Sequence, residues 1–261
     1  MLYLVGTPIG NLDDMSPRAC EDTRVTGILL SQLGITGKRL ISYHEHNKAA
    51  SGNGILDLLR SGLNVAQVSD AGMPAISDPG ADLALLAYEN DIEVSVIPGP
   101  SAVTAALSIS GLDTRYFHFE GFLPSEGSKR RERLKALTLT GETIVLYEAP
   151  HRLKKLLDEL VEAGFGGSRI ALCRELTKKY EEVLRMTVTE AVEYYKSTEP
   201  RGEFCICLEP LEQKTMVEAG DGNALIALLK EKGMSSKDIA AVVSEYTGMN
   251  KKEAYKIASG S

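Results

Sequence analysis

Glycine-rich segments follow three apolar, strand-like runs in this sequence, and they are its clearest candidates for binding a ligand. They are Gly6-Thr7-Pro8-Ile9-Gly10-Asn11, Ser69-Asp70-Ala71-Gly72-Met73-Pro74 with Asp78-Pro79-Gly80 behind it, and Pro98-Gly99-Pro100-Ser101-Ala102. Glycine lets the backbone approach a ligand closely, and open α/β sheets bind ligands beyond the carboxyl ends of their strands. Any one segment could be only a tight turn, but the three together predict a binding cleft at one edge of a sheet.

The elements that position these segments alternate in the order typical of a parallel α/β sheet. Apolar runs predict strands at Leu2–Val5, Leu63–Val68 and Glu93–Ile97. Helical spacing predicts helices at Ile55–Arg60, Ala81–Tyr88 and 101–110, the last with Ser101 as its N-cap. The helix start at Ser16-Pro17-Arg18 runs at once into the strand-like Ala19–Arg24, with no room for both elements. Either that unit is absent or residues are missing between Ala19 and Cys20.

Glycines and prolines at 112–126 predict a break between domains. Beyond it, strands at Thr143–Tyr147, Arg169–Cys173, Val183–Val188 and Phe204–Leu208 accompany helices at Arg131–Leu139, Pro150–Ala163 and Thr189–Lys196. Some of these strands follow one another without a helix, which predicts a mixed sheet. The fold class is therefore α/β, with domains at 1–112 and 113–212 and a helical tail at 213–261.

The tail carries amphipathic segments at Ala224–Lys230, Ser236–Tyr246 and Lys251–Ala258. They predict either a small packed helical appendage or a helix-turn-helix-like contact with RNA.

Composition is that of an ordinary globular protein, with 43% hydrophobic and 25% charged residues. The sequence has no apolar run of about 18 residues and no basic segment at Met1 that would indicate a signal peptide. Its four cysteines, which include the strand residues Cys205 and Cys207, have no pairing pattern, so we expect reduced thiols and a cytoplasmic protein without membrane contact.

Several familiar sites are missing from the sequence. It contains no Gly-x-Gly-x-x-Gly fingerprint, no phosphate-binding P-loop and no Gly-x-Ser-x-Gly nucleophile elbow. His44 and His46 could reach one metal ion, but no third ligand is evident, so no metal site is predicted.

The net charge of −7 argues against indiscriminate binding of nucleic acid, yet it leaves room for a local basic groove. Basic residues cluster at Lys129, Arg130, Arg131 and Arg133, at His151, Arg152, Lys154 and Lys155, and at Arg174, Lys178 and Lys179. Each cluster could hold phosphates or be a solvated helix face.

The strings LYLVGTPIGNLDDMSPRA, CEDTR, SYHEHN, VSDAGMPAISDPG, VIPGPSA, FEGFLP and YEAPHR carry a specific resemblance. In this order they resemble the ribosomal RNA small-subunit methyltransferase I family, within the tetrapyrrole-methylase superfamily. The likeness runs from residue 1 to about 210 and is looser in the tail. The chain departs from it at the Ala19–Cys20 junction, where family members carry a helix and most of a strand.

The resemblance implies two α/β domains with S-adenosylmethionine in the cleft between them, and commonly a homodimer. It implies methylation of the ribose 2′-oxygen of a cytidine in small-subunit ribosomal RNA. The positions that match superfamily contacts to the cofactor are Pro8, Asp70, Met73, Ser101 and Ala102, with Ala71, Gly72, Ser77 and Tyr147 beside them or across the cleft.

For that reaction we expect a group that accepts the ribose hydroxyl proton. The candidates are Glu21, Asp22, His44 and Glu148, with Glu45, His46 and His151 also possible, and the sequence does not choose among them. RNA contacts are expected from Arg24, His46, Asn47, Lys129, Arg130, Arg131, His151 and Arg152. Two alternatives stay open, a methyltransferase for a tetrapyrrole-like small molecule and a non-catalytic ribosome-assembly factor.

Overall fold

The computed structural model describes residues 1–11, 14, 37, 39, 41, 43, 48–69, 71–78, 80–211 and 222–260. The chain divides into two compact units, Met1–Leu211 and Glu212–Ser261. In the described part of the chain, no helix is both long and apolar enough to cross a membrane. Labels below number the described elements in chain order.

The first sheet of the larger unit is parallel. Its order is β2-β1-β3, so that Leu2 of β1 lies between Val65 of β2 and Val94 of β3. The strands are β1 (Leu2–Val5), β2 (Val65–Gln67) and β3 (Val94–Ile97), and the helices are α1 (Lys48–Arg60), α2 (Ala81–Tyr88) and α3 (Ala102–Ser110). The parallel α/β arrangement expected for this part is confirmed.

Five strands form the second sheet in the order β4-β5-β8-β6-β7. β4 and β5 are parallel, and the remaining neighbours are antiparallel, so the expected mixed sheet is confirmed. The strands are β4 (Phe117–Phe122), β5 (Thr143–Glu148), β6 (Arg169–Arg174), β7 (Glu182–Thr187) and β8 (Phe204–Leu208). The helices are α4 (Gly127–Leu137), α5 (Pro150–Glu162) and α6 (Val188–Ser197), and a 3₁₀ turn occupies Phe165–Gly167.

The break between domains expected at 112–126 stays a prediction, but that segment contains strand β4, which the sequence did not predict. Its aromatic residues suit a strand, but Gly121 interrupts the pattern, and the register with β5 shifts between Phe119 and Gly121. Such a shift marks a β-bulge, where an extra residue bends the strand and glycine with positive φ is favoured. Gly121 has φ +70°, so the glycine read as a breaker lies inside the strand.

Apolar side chains cover both faces of the second sheet. On one face, Leu153, Leu156, Leu157 and Leu160 of α5 pack at helical spacing against Ile144 and Leu146 of β5 and their neighbours. On the other face, Val103, Ala106 and Leu107 of α3 pack against Val145, Cys173, Cys205 and Cys207. Burial raises the pKa of the Cys173 thiol to about 11 and that of Cys207 to about 12, so both are protonated and unreactive at neutral pH.

The smaller unit is described over 222–260 and consists of the three expected helices, α7 (Gly222–Glu231), α8 (Ser236–Thr247) and α9 (Lys251–Ser259). They enclose a small core of Ile226, Ile239, Ala240, Val243, Ala254 and Ala258. Ser235 caps α8 by accepting from the Asp238 N–H, and Asn250 caps α9 by accepting from the Lys252 N–H.

Candidate functional site

The ends of the first three strands meet, as the sequence predicted for the glycine-rich segments. Gly6 after β1 lies against Gly99 after β3, so closely that a Cβ on Gly6 would stand 2.6 Å from the Gly99 Cα. The loop after β2 joins them, because the Thr7 N–H donates to the Gly72 carbonyl at 2.9 Å and the Gly72 N–H donates back at 3.0 Å. Thr7 Oγ1 also donates to the Ser69 carbonyl at 3.1 Å. These bonds join two of the three segments directly.

Gly6→Ala should therefore lower the free energy of unfolding by about 1–3 kcal/mol, the usual range for overpacking, and weaken binding of the cofactor that the resemblance implies. The added methyl meets backbone on the opposite loop, which cannot rotate away. Gly54→Ala is the matched control, because Gly54 lies in helix α1 with open space around its Cβ position. That change should be neutral or stabilising by up to about 1 kcal/mol. Urea unfolding and calorimetric titration measure both effects, and equal behaviour of the two variants would contradict the close approach.

Tyr147 at the end of β5 faces these loops from the second sheet. Its ring packs on Phe119 at 5.3 Å and on Phe122 at 5.4 Å between centroids. Burial is the largest reason that the pKa of the Tyr147 hydroxyl rises, with Cys205 and Asp78 adding to the rise and a backbone hydrogen bond from Val103 opposing it. Tyr147 therefore stays a neutral phenol at physiological pH.

A second contact joins the two sheets at the β4 bulge. Ser77, in the loop after β2, lies so close to Gly121 that a Cβ there would be 2.6 Å from the Ser77 Oγ. Ser77 and Ala75 both have positive φ, 58° and 69°, which is uncommon outside glycine. Strained residues of this kind gather at ligand-binding sites.

A cavity of about 510 Å³ lies between these loops and the second sheet. Its walls include most of the residues that the resemblance assigns to the cofactor: Ala71, Gly72, Met73, Ser77, Ser101, Ala102 and Tyr147. Pro8 is buried and does not line the cavity, whereas its neighbour Ile9 does. Asp70 lies outside the described residues.

Sequence reasoning missed the far wall of the cavity. It is formed by the loop that follows β6, with Glu175, Leu176 and Lys178, and by Glu203 before β8. Lys178 Nζ donates to Glu175 Oε1 at 3.0 Å and to Glu203 Oε2 at 2.8 Å. The sequence shows Lys178 only as part of a basic cluster, because its two carboxylate partners come close to it only in the folded chain.

Glu148 and His151 begin and end the four-residue segment that links β5 to the first turn of α5, and both border the cavity. The Glu148 carboxylate is fully buried, and its Oε1 accepts from the Ala149 N–H and lies 3.0 Å from Arg152 Nε. Burial raises the Glu148 pKa, while the Ala149 N–H and the charges of Arg152 and Arg130 oppose that rise. His151, by contrast, is exposed.

The structure corrects the interpretation of Arg130 as an RNA-binding residue. Its side chain is 2% exposed, and its Nε and Nη2 donate to Glu159 Oε2 at 2.8 and 2.6 Å, while Nη1 donates to the Pro124 carbonyl. A guanidinium enclosed in this way cannot reach a phosphate.

Arg152 is also engaged within the protein. Besides its ion pair with Glu148, its Nη2 donates to the Leu123 carbonyl at 2.6 Å, and the side chain is 23% exposed. Arg133 forms a bidentate pair with Glu120, and His118 Nε2 lies 2.9 Å from the same carboxylate. Burial alone would raise the pKa of Glu120, but these two partners lower it below its usual value. Lys129 and Arg131 of the predicted basic run are exposed, and within the described part of the chain neither has such an ion pair.

The other predicted site residues lie outside the described part of the chain: Glu21, Asp22, Arg24, His44, Glu45, His46 and Asn47. Among the residues that the structure does describe, no three His, Cys, Asp or Glu side chains are grouped so that they could hold a metal ion.

Comparison with known proteins places the chain in a family. A protein of Halalkalibacterium halodurans named ribosomal RNA small subunit methyltransferase I is 42% identical, and the match covers 98% of this chain and 93% of that protein. A Synechocystis protein of the same name is 40% identical over 99% of this chain and 97% of its own length. The chain belongs to the ribosomal RNA small subunit methyltransferase I family. The wider family model, tetrapyrrole (corrin/porphyrin) methylases, matches residues 1–192.

The fold agrees with this family. The structure of uroporphyrin-III C-methyl transferase from Thermus thermophilus, complexed with S-adenyl homocysteine, superimposes with a TM-score of 0.57. It covers 80% of this chain and 96% of that one at 18% identity, so the likeness concerns the fold alone. The two-sheet α/β architecture that the resemblance implied is confirmed.

Proposed function

We propose that this protein transfers a methyl group from S-adenosylmethionine to the ribose 2′-oxygen of a cytidine in small-subunit ribosomal RNA. The observation that carries the proposal is the relationship to ribosomal RNA small subunit methyltransferases I over nearly the whole chain. The fold neighbour complexed with S-adenyl homocysteine, the demethylated form of this cofactor, supports the choice of cofactor.

The cavity fits such a cofactor in size and chemistry. Sites for ligands of drug-like size usually measure about 300–1,000 Å³ and are mostly apolar with a few placed polar groups. Here Met73 and Ile76 offer apolar walls, and the backbone of 71–73 and the start of α3 at Ser101 and Ala102 offer polar edges. These residues, with Ser77 and Tyr147, would hold the cofactor. We retain Asp70 and Pro8 in the proposal on the sequence pattern alone.

The cofactor, once bound, supplies a methyl group already activated for transfer. The protein's part is to align the ribose oxygen, and positioning of this kind can contribute about 7–11 kcal/mol to lowering the barrier. It must also accept the hydroxyl proton. Of the described candidates, His151 is exposed at the cavity, whereas the Glu148 carboxylate is buried and bound to Arg152 and the Ala149 N–H. We therefore assign the proton acceptor to His151 and a positioning role to Glu148.

RNA is held, in this proposal, by cations that have no carboxylate partner of their own. Lys129 and Arg131 on α4 satisfy that condition among the described residues of the predicted run. Arg24, His46 and Asn47 stay in the proposal from the sequence, with the homodimer that the resemblance implies.

A methylation assay on purified small ribosomal subunits that lack the modification tests the proposed function. With S-adenosylmethionine, the protein should add one methyl group to a cytidine, and that nucleotide should resist alkaline cleavage, because cleavage needs a free 2′-hydroxyl. A mass shift on the free base, with the nucleotide still alkali-labile, would overturn the 2′-oxygen assignment. Methylation of a tetrapyrrole instead of RNA would support the small-molecule alternative, and cofactor affinity too weak to measure would support the assembly factor.

A further inference from the structure

The loop that joins β6 to β7 lines part of the cavity and also carries an exposed aromatic residue. This loop, residues 175–181 and called here the hairpin loop, lines the cavity with Glu175, Leu176 and Lys178. Two residues further along, Tyr180 is 64% exposed. The Lys179 ammonium lies 5.6 Å from the centre of the Tyr180 ring. An aromatic ring and a cation therefore stand together on a loop that lines the cavity through other residues.

The hairpin loop is held in a strained conformation. Glu175 and Thr177 have φ values of 50° and 64°, a region that side chains rarely adopt and that is especially unfavourable for a β-branched residue such as threonine. Hydrogen bonds fix it there. Glu175 Oε1 accepts from the Glu203 N–H at 2.9 Å, and Glu181 Oε2 accepts from the Thr177 N–H at 2.6 Å.

Two glycines of neighbouring segments pack closely against the same loop. A Cβ on Gly10 would overlap Lys178 Cγ and come within 2.7 Å of Thr177 Oγ1, and one on Gly202 would overlap the Glu175 side chain. The Asn11 N–H adds a hydrogen bond to Thr177 Oγ1 at 3.1 Å, which connects the loop to the first glycine-rich segment. Strain persists where the surroundings over-determine it, and such places are commonly ligand clamps.

Tyr180 belongs to neither of the two apolar clusters that cover the second sheet, and fold stability does not explain an exposed ring at this position. Binding of unpaired RNA explains it. Single-stranded RNA is recognised by stacking its splayed bases on aromatic side chains, with cations beside them for the phosphates. A ring held on a rigid loop loses little conformational freedom when it binds.

We propose that Tyr180 is a stacking platform for an unpaired RNA base at or next to the methylated nucleotide, and that Lys179 contacts the adjoining phosphate. The partner is a single-stranded segment of RNA, so this inference rests on the proposed function and adds the element that grips its substrate. It assigns an RNA-binding role to a residue that no sequence motif marked.

The test measures the affinity of unmodified small ribosomal subunits for the wild type and for Tyr180→Ala, Tyr180→Phe and Tyr180→Trp. Loss of one stacked base should raise the Kd of Tyr180→Ala roughly 10- to 100-fold. The phenylalanine and tryptophan variants should stay within a few-fold of the wild type, because stacking needs a ring and not a hydroxyl. Tyr88→Ala is the matched control, since Tyr88 is 78% exposed on α2 and does not line the cavity. Its Kd should equal that of the wild type.

Salt dependence separates the two parts of the proposal. Lys179→Gln should reduce the slope of log Kd against log salt concentration by the amount that corresponds to about one phosphate contact. Tyr180→Ala should leave that slope unchanged. Cofactor affinity, measured by calorimetry, should be the same in all of these variants.

An unchanged Kd in Tyr180→Ala would overturn the inference, and so would failure of phenylalanine to restore binding. Methyl transfer by the wild type is recorded on the same subunits. Tight binding of the subunits without methyl transfer would count against the proposed function. The comparison of Tyr180 variants would still decide whether Tyr180 is a stacking platform.

Discussion

Arg130→Ala should lower the free energy of unfolding of the larger unit by about 3–5 kcal/mol, the cost of breaking a buried ion pair by removing one partner. The Arg130 guanidinium is buried among Glu159, Glu148 and the Pro124 carbonyl, with distances of 2.6 Å to Glu159 Oε2 and 3.9 Å to Glu148 Oε2. Alanine would leave the Glu148 carboxylate in the interior with less compensating charge, and it would leave a cavity where the side chain had packed.

Arg131→Ala provides the control, because the neighbouring arginine on the same helix is exposed. Its effect on the free energy of unfolding should stay within about 0.5 kcal/mol, while its effect on RNA affinity should shrink as salt rises. Urea unfolding followed by circular dichroism gives the first quantity, and filter binding gives the second. The structural role of Arg130 would be refuted if both variants were equally stable and lost RNA affinity equally.

Arg130 and Arg131 also show where sequence reasoning stopped. Adjacent basic residues look alike in a sequence, and only the fold decides which one turns inward. The partner of Arg130 is Glu159, which lies 29 residues away, and that of Arg133 is Glu120, 13 residues away on a strand that the sequence did not predict. Non-local pairs of this kind leave no local pattern, so the basic run was predicted as a group although its members have different roles.

The side of the cavity that the glycine-rich loops form could be predicted for the opposite reason. A parallel strand that ends in a glycine-rich turn is a local pattern, and strand order brings such turns together at one edge. The Gly6–Gly99 approach and the paired hydrogen bonds between Thr7 and Gly72 are the physical form of that pattern. The far wall, where Lys178 lies between Glu175 and Glu203, depends on a bend of the chain after β6. No glycine or proline occurs at that bend, so the sequence does not predict it.

The short link at the Ala19–Cys20 junction agrees with gaps in the alignment to a relative. The alignment with the Halalkalibacterium relative extends over 276 residues, whereas this chain has 261, so the alignment contains gaps in this chain. Gaps are expected if a helix and part of a strand are missing at the Ala19–Cys20 junction. That junction lies outside the described residues, and its position remains a prediction from the sequence.

His151→Ala should lower kcat for methyl transfer about 10²- to 10⁴-fold, the usual contribution of a positioned group that moves a proton. A ribose hydroxyl is a weak nucleophile, so losing the acceptor slows the chemical step and leaves the binding of the cofactor unchanged. His151 is suited to this work because it is exposed at the cavity, in the first turn of α5. That turn is fixed by Pro150 at its start and by the Ala149 N–H donating to Glu148.

His118→Ala is the matched control for this experiment. It removes another imidazole of the larger unit, on strand β4, but His118 contacts Glu120 and does not line the cavity. Its kcat should stay within a few-fold of the wild type, with some loss of stability. Single-turnover methylation of small subunits at saturating cofactor isolates the chemical step from product release. A normal single-turnover rate in His151→Ala would refute the assignment, because a reaction that needs a proton acceptor would then be using another one, such as Glu21, Asp22 or His44.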